Sequence, residues 1–291
     1  MSAPSFPELT LPQMLREHAR AIPKRTAVRQ KDFGIWNPVS WHDYFERSAN
    51  VGHGYRALGL SHGGHVAVLS ENRVEWALAQ LGAGLVGAVT IGVYPTSPSP
   101  EVAYVLEHSD TELIVCEDQE QVDKVIEVRD QLPLLRRIVV VETKGMRNYP
   151  SDLVISFEAM EQAGAAHRAG EPNLVDEALS RQHMDDTALM IYTSGSTGKP
   201  KGAMLSYGNI RAQAIAIVEK LSLNQDTTHL SYLPLCHVAE QMTTLMGPIY
   251  LGSQINFGES IRTVQDDLRE VAPTMFLGVP RIWEKLHSSI H

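Results

Sequence analysis

Short β-rich apolar runs alternate with helical patterns through most of this chain, and that alternation limits the fold more than any other feature. Residues 65–70, 88–94, 112–116 and 137–141 read as strands, the last with an Ile-Val-Val-Val core. Helical patterns separate them, at 101–108 and from 117 to about Leu132. Strands joined through helices pair in parallel by crossover connections, which cover both faces of a sheet. The pattern predicts an α/β fold of mostly parallel sheets flanked by helices. Before these elements lie a helix at 11–22, extended runs at 26–30 and 35–39, and a helix starting at Trp41 behind a Ser40 cap.

Residues 145–186 are less regular, with a Gly, Asn and Pro cluster, a helix near 158–166 and a polar stretch to Pro172. They read as a surface connection between lobes at about 1–144 and 187–291. The second lobe repeats the alternation: strands at 188–193, 229–233, 254–257 and 274–279, helices at 207–221, 238–251 and 263–271, and a last helix opening at Pro280.

Residues 76–94 are long and uncharged enough to raise the question of a membrane span. Four glycines and Gln80 interrupt them, and they divide into a helix to about Val86 and a buried strand. With 34 acidic against 25 basic residues and no basic run, the chain offers no nucleic-acid surface. Cys116 and Cys236 stand alone, with neither zinc spacing nor a disulfide framework. No signal peptide or lipid anchor is evident, which points to the cytoplasm. Peripheral membrane contact remains compatible with the sequence, although no basic amphipathic helix stands out. Oligomeric state is not fixed.

The chemistry concentrates in Tyr192-Thr-Ser-Gly-Ser-Thr-Gly-Lys-Pro-Lys-Gly202, directly after a strand. Gly195, Gly198 and Gly202 permit close backbone turns, Thr193, Ser194, Ser196 and Thr197 add hydroxyls, and Lys199 and Lys201 add charge. No Asp or Glu occurs from Thr187 through Val218, so this acidic chain holds a local island for an anion. It is no Walker A loop, because Thr193 replaces the first glycine and Pro200 follows Lys199.

The segment resembles the signature of the adenylate-forming superfamily, Tyr/Phe-Thr-Ser/Thr-Gly-Ser/Thr-Thr-Gly-x-Pro-Lys-Gly. Leu233-Pro-Leu-Cys-His-Val-Ala-Glu-Gln241 resembles its second motif, and Thr274-Met-Phe-Leu-Gly-Val-Pro-Arg-Ile-Trp-Glu-Lys285 resembles a segment of its long-chain and bubblegum-type fatty acyl-CoA synthetases. Asn72-Arg-Val-Glu-Trp76 and Val93-Tyr-Pro-Thr96 resemble the same subgroup.

The resemblance implies an ATP-dependent ligase that makes an acyl adenylate and pyrophosphate from a fatty acid, then transfers the acyl group to coenzyme A. It implies that Thr193, Ser194, Gly195, Ser196, Thr197, Gly198, Lys199 and Lys201 hold the polyphosphate, with Thr193 also contacting Mg²⁺. It further implies that His237 lies beside the reacting carboxylate and the α-phosphate. If a helix starts near Val238, Glu240 is expected to face His237 and the substrate.

The family's later motifs, including the magnesium carboxylate and the C-terminal adenylation lysine, do not occur in these residues. The resemblance therefore implies part of one large N-terminal domain without the small C-terminal domain, and a fragment inactive by itself. Two other readings stay open: a nucleotide-binding sensor or interaction module, and an adenylate former that charges a carrier-protein thiol. Cys236 and His237 make a poor dyad, since neighbours in extended chain point apart. His62 and His65 read as a solvated loop, Asp266 and Asp267, like Glu219 and Lys220, as solvated helix faces, and Trp283 as a core aromatic.

Overall fold

The computed structural model describes residues 7–193 and 198–288. The strands are β1 (Thr26–Asp32), β2 (Ile35–Ser40), β3 (His65–Leu69), β4 (Val89–Val93), β5 (Thr111–Cys116), β6 (Arg137–Val140), β7 (Val154–Ser156), β8 (Thr187–Thr193), β9 (Lys201–Ser206), β10 (Thr228–Ser231) and β11 (Gln254–Phe257). The helices are α1 (Leu11–Ala21), α2 (Trp41–Ala57), α3 (Val74–Leu85), α4 (Ser99–His108), α5 (Gln119–Glu127), α6 (Phe157–Gly170), α7 (Leu174–Arg181) and α8 (Tyr207–Leu221). After them come α9 (Val238–Glu240), a π-turn (Gln241–Met246), α10 (Gly247–Leu251), α11 (Val264–Val271) and α12 (Pro280–Ser288).

The strands form a seven-stranded sheet in the order β7-β6-β5-β3-β4-β8-β9 and a four-stranded sheet in the order β10-β11-β1-β2. All pairs are parallel except β8 with β9 and β1 with β2. The mostly parallel α/β expectation holds. In β3, Val66 and Val68 enter one apolar cluster, while Ala67 and Leu69 enter a second cluster on the opposite face. β5 repeats this with Leu113 and Val115 against Ile114 and Cys116. Burial on both faces is what a parallel sheet between helical layers requires.

The two sheets do not coincide with the two sequence lobes. β8 and β9 extend the first sheet through Thr90–Leu189 and Gly92–Ile191 pairing, and β1 and β2 join the second through Val28–Ile255. Each lobe leaves a sheet edge that the other supplies with a partner. The 145–186 segment is more than a surface connection: β7 closes one edge of the larger sheet, and α6 packs on α2, where Arg47 and Arg168 bind Glu161 and Glu46.

Residues 274–279 form no strand, only a parallel bridge from Met275 to His229. The strand before His237 ends at Ser231, so residues 232–236 turn. Asp267 is not solvated: it is fully buried and accepts from Lys31 Nζ at 2.9 Å and Thr263 Oγ1 at 2.6 Å. Glu270 and Asp267 together hold the Lys31 ammonium above the usual lysine range. His65 lies on β3, with Nδ1 against the Ser109 carbonyl. Trp283 is 51% exposed instead of belonging to the core, stacks edge-on against Phe276 and donates to the Gly278 carbonyl. Among the described residues no helix is long and apolar enough to cross a membrane.

Candidate active site

Thr193 and Lys201 are register partners at the loop end of the β8–β9 hairpin, and both are exposed. Four expected phosphate-binding positions, Ser194, Gly195, Ser196 and Thr197, lie outside the described residues. Gly198 has φ +145°, which a side-chain-bearing residue rarely adopts, so glycine suits this turn. Lys199 places its Nζ 4.8 Å from the centroid of the Tyr104 ring. The Tyr104 hydroxyl donates to the Pro200 carbonyl at 2.9 Å. On the other hairpin arm, Tyr192 Oη and His108 Nδ1 form a hydrogen bond at 2.8 Å.

The turn carrying His237 is seated on the same sheet. A Cβ at Gly92 of β4 would come within 2.8 Å of Cys236 Cα, so only glycine lets the turn lie down there. Gly92 pairs with Ile191 of β8, which places residue 236 near the C-terminal end of the strand that leads to Thr193. His237 is exposed and caps α9, its Nδ1 accepting from the Ala239 N–H at 3.1 Å. A ring nitrogen that accepts carries no proton, so Nε2 is the donor of the neutral ring, free to meet a carboxylate or phosphate oxygen. Cys236 is buried, and burial pushes its thiol up to about 12, which removes any thiolate partnership with His237.

Glu240 does not face His237. It is fully buried and turned inward, accepting on Oε1 from Ser231 Oγ at 2.7 Å, Thr244 Oγ1 at 2.6 Å and the Tyr232 N–H at 3.1 Å. The one-turn spacing aims it at β10 because the Tyr232–Cys236 turn brings α9 back over that strand. Burial raises its pKa to about 7 against these hydrogen bonds, and Oε2 finds no partner among the described residues. Asn72 completes the knot, donating to Ser231 Oγ at 2.8 Å and accepting from the Leu235 N–H at 2.9 Å. The carboxylate thus shapes the turn and has no exposed surface for substrate.

Beyond His237 opens an apolar groove of about 960 Å³. Ile210 and Ile217 of α8 form one wall, Val238, Ala239, Met242 and Met246 a second, and Met275–Leu277 a third. The sequence hinted at this wall only through Met242 and Met246, which share a face four residues apart. Tyr104 and His108 were also missed, although the same spacing on α4 is a readable signal. For the metal, Thr193 presents an exposed hydroxyl oxygen, and the described residues contain no cluster of three His, Cys, Asp or Glu ligands. One oxygen suits Mg²⁺ that arrives with phosphate oxygens and waters, not a resident metal cage.

Residues 15–291 match the family described as AMP-binding enzyme. The chain is 31% identical over 293 residues to the long-chain-fatty-acid–CoA ligase ACSBG2 of Xenopus laevis, covering 98% of this chain and 39% of that protein. It is 32% identical over 292 residues to ACSBG2 of Rattus norvegicus, covering 97% and 43%. The chain therefore spans about two fifths of the length of these curated relatives. Among solved structures, an anthranilate CoA ligase, AuaEII, crystallised with anthranoyl-AMP, superposes with a TM-score of 0.79 at 22% identity, covering 95% of this chain and 51% of that one. At that identity the likeness establishes the fold alone.

Proposed function

This chain belongs to the AMP-binding enzyme family, and on that premise we propose that it serves ATP-dependent activation of a long-chain fatty acid followed by transfer to coenzyme A. ATP use follows from the family. The acid, Mg²⁺ and coenzyme A belong to the proposal, as does the activity of the whole protein.

One observation carries the choice of substrate. The exposed imidazole of His237 is followed directly by Val238 and Ala239, which line the apolar groove. A fatty acid has the same polarity pattern, an anionic head on a long hydrocarbon. Each methylene removed from water contributes about 0.8 kcal/mol, so a groove walled by Ile, Met and Phe side chains favours long chains over short ones. The acid's head would meet His237 Nε2–H, while Thr193, Lys199 and Lys201 would face the triphosphate. These donors offset the repulsion between a carboxylate and a polyphosphate and hold both in line for attack. Mg²⁺ held at Thr193 would neutralise phosphate charge.

ATP–pyrophosphate exchange in the natural protein tests this reading. Exchange should depend on palmitate, with acetate a poor substitute. His237→Asn keeps an acceptor for the Ala239 N–H, so its melting temperature should stay near wild type while exchange falls about 10²-fold. Exchange driven equally by acetate, or unaffected by this substitution, would refute the assignment.

A further inference from the structure

We infer that Tyr104, on the neighbouring helix α4, is a positioning residue that holds Lys199 ready for the triphosphate. The inference rests on the functional reading above and assigns a role that the signature motif does not contain.

α4 touches the hairpin on both sides of its loop. His108 bonds to Tyr192 on the incoming strand, and Tyr104 bonds to the Pro200 carbonyl on the outgoing side. The two residues stand four apart, on one helix face, with ring centroids 5.3 Å apart. Tyr192 is buried in the second apolar cluster, and Tyr104 packs against that cluster. The Ser99 hydroxyl at the start of α4 donates to Glu127 Oε2 of α5, so the helix presenting Tyr104 and His108 is itself tied down.

Lys199 is the moving part of this arrangement. A lysine has four rotatable side-chain bonds and loses much freedom when its ammonium is fixed on a ligand. The Tyr104 ring covers one side of Nζ at 4.8 Å by cation–π attraction and leaves the other sides open to an anion. The Tyr104 hydroxyl fixes the backbone one residue further on through Pro200, whose φ is already restricted by its own ring. Tyr104 therefore restrains both the root and the tip of Lys199 before ATP arrives. Restraint in advance removes part of the entropic cost of binding.

Steady-state exchange with the natural protein gives the functional test. Tyr104→Leu should raise the KM for ATP about fivefold, while kcat and the KM for palmitate stay within about twofold. Tyr104→Phe keeps the ring and should recover most of that loss. In a Lys199→Met background, Tyr104→Leu should add nothing, because its effect runs through the ammonium. An unchanged KM for ATP, or the same rise with Lys199 already removed, would overturn the inference.

A second measurement needs no catalysis. Above a tyrosine ring, the Lys199 side-chain protons should resonate upfield of other lysines in ATP-free protein, and Tyr104→Leu should remove that displacement. Its absence in wild type would sink the inference whatever the kinetics show. Wild-type protein with the displacement but no acid-dependent exchange would sink the functional reading alone.

Discussion

The seven-stranded and four-stranded sheets are built from the same chain but hold together differently. The larger sheet is packed mainly with apolar side chains, with Thr90, Thr111 and Glu112 as buried exceptions: β4 and β5 are buried at every position, and α3 lies against them almost wholly enclosed. The smaller sheet buries polar groups. Asn256 is fully enclosed, donating to the His229 carbonyl at 2.8 Å and accepting from Arg29 at 2.6 Å, while Asp267 receives Lys31 and Glu240 receives Ser231. Apolar packing gives the hairpin a rigid platform. A hydrogen-bonded interior fixes a unique turn geometry, but it ties stability to protonation and leaves less apolar area to resist damage.

Truncating one leucine in each sheet would break this comparison most sharply. Leu113→Ala in β5 should cost about 4 kcal/mol, whereas Leu230→Ala in β10, inside a small cluster with Tyr232 and Val264, should cost about 2 kcal/mol. Equal losses in urea denaturation would erase the distinction.

Protonation comes next. Burial raises Glu240 from 4.5 to about 7, so the folded state favours its protonated form. Its stabilising contribution is complete below pH 4.5 and is lost as pH rises through about 7. Glu240→Gln should abolish this term. The stability difference between variant and wild type should therefore move in favour of the variant by about 3 kcal/mol between pH 4.5 and 7.5. A pH-independent difference would mean that folding leaves the pKa of this carboxyl unshifted.

The smallest effect should appear in the groove beyond His237. Ala239→Phe places a ring among Met242, Met246 and Phe276, and should lower palmitate-driven exchange about tenfold while sparing octanoate. Equal loss with both acids would show that the groove does not read chain length.

The larger sheet was legible in sequence because its strands are continuous apolar runs between turn signals, as in Leu113 to Cys116. β7 was not, since three half-buried residues carry no period. β9 was hidden because Lys201 and Gly202 read as loop chemistry, yet they pair with Thr193 and Tyr192. Residues 274–279 looked like a strand because they are apolar, but Met275–Leu277 spend that character on the groove wall. Asp267 looked solvated because its partner, Lys31, is 236 positions away, and no local pattern records such a partner. In the site, the positions of Thr193 at a strand end and of His237 just before a helix were readable from motif order, whereas that of Lys201 at the start of β9 was not. The inward turn of Glu240 was not, because it depends on how the Tyr232–Cys236 turn folds α9 back over β10.

The π-turn from Gln241 to Met246 carries a final consequence. It widens the coil by one residue per turn, and an ordinary helix of the same length would rotate the residues before it by about 100° relative to those after it. Glu240 could then not reach β10 while Met246 still lined the hydrocarbon wall. Deleting a single residue here would therefore uncouple two phase relationships that the protein keeps locked, much as slipping one tooth mistimes a pair of gears.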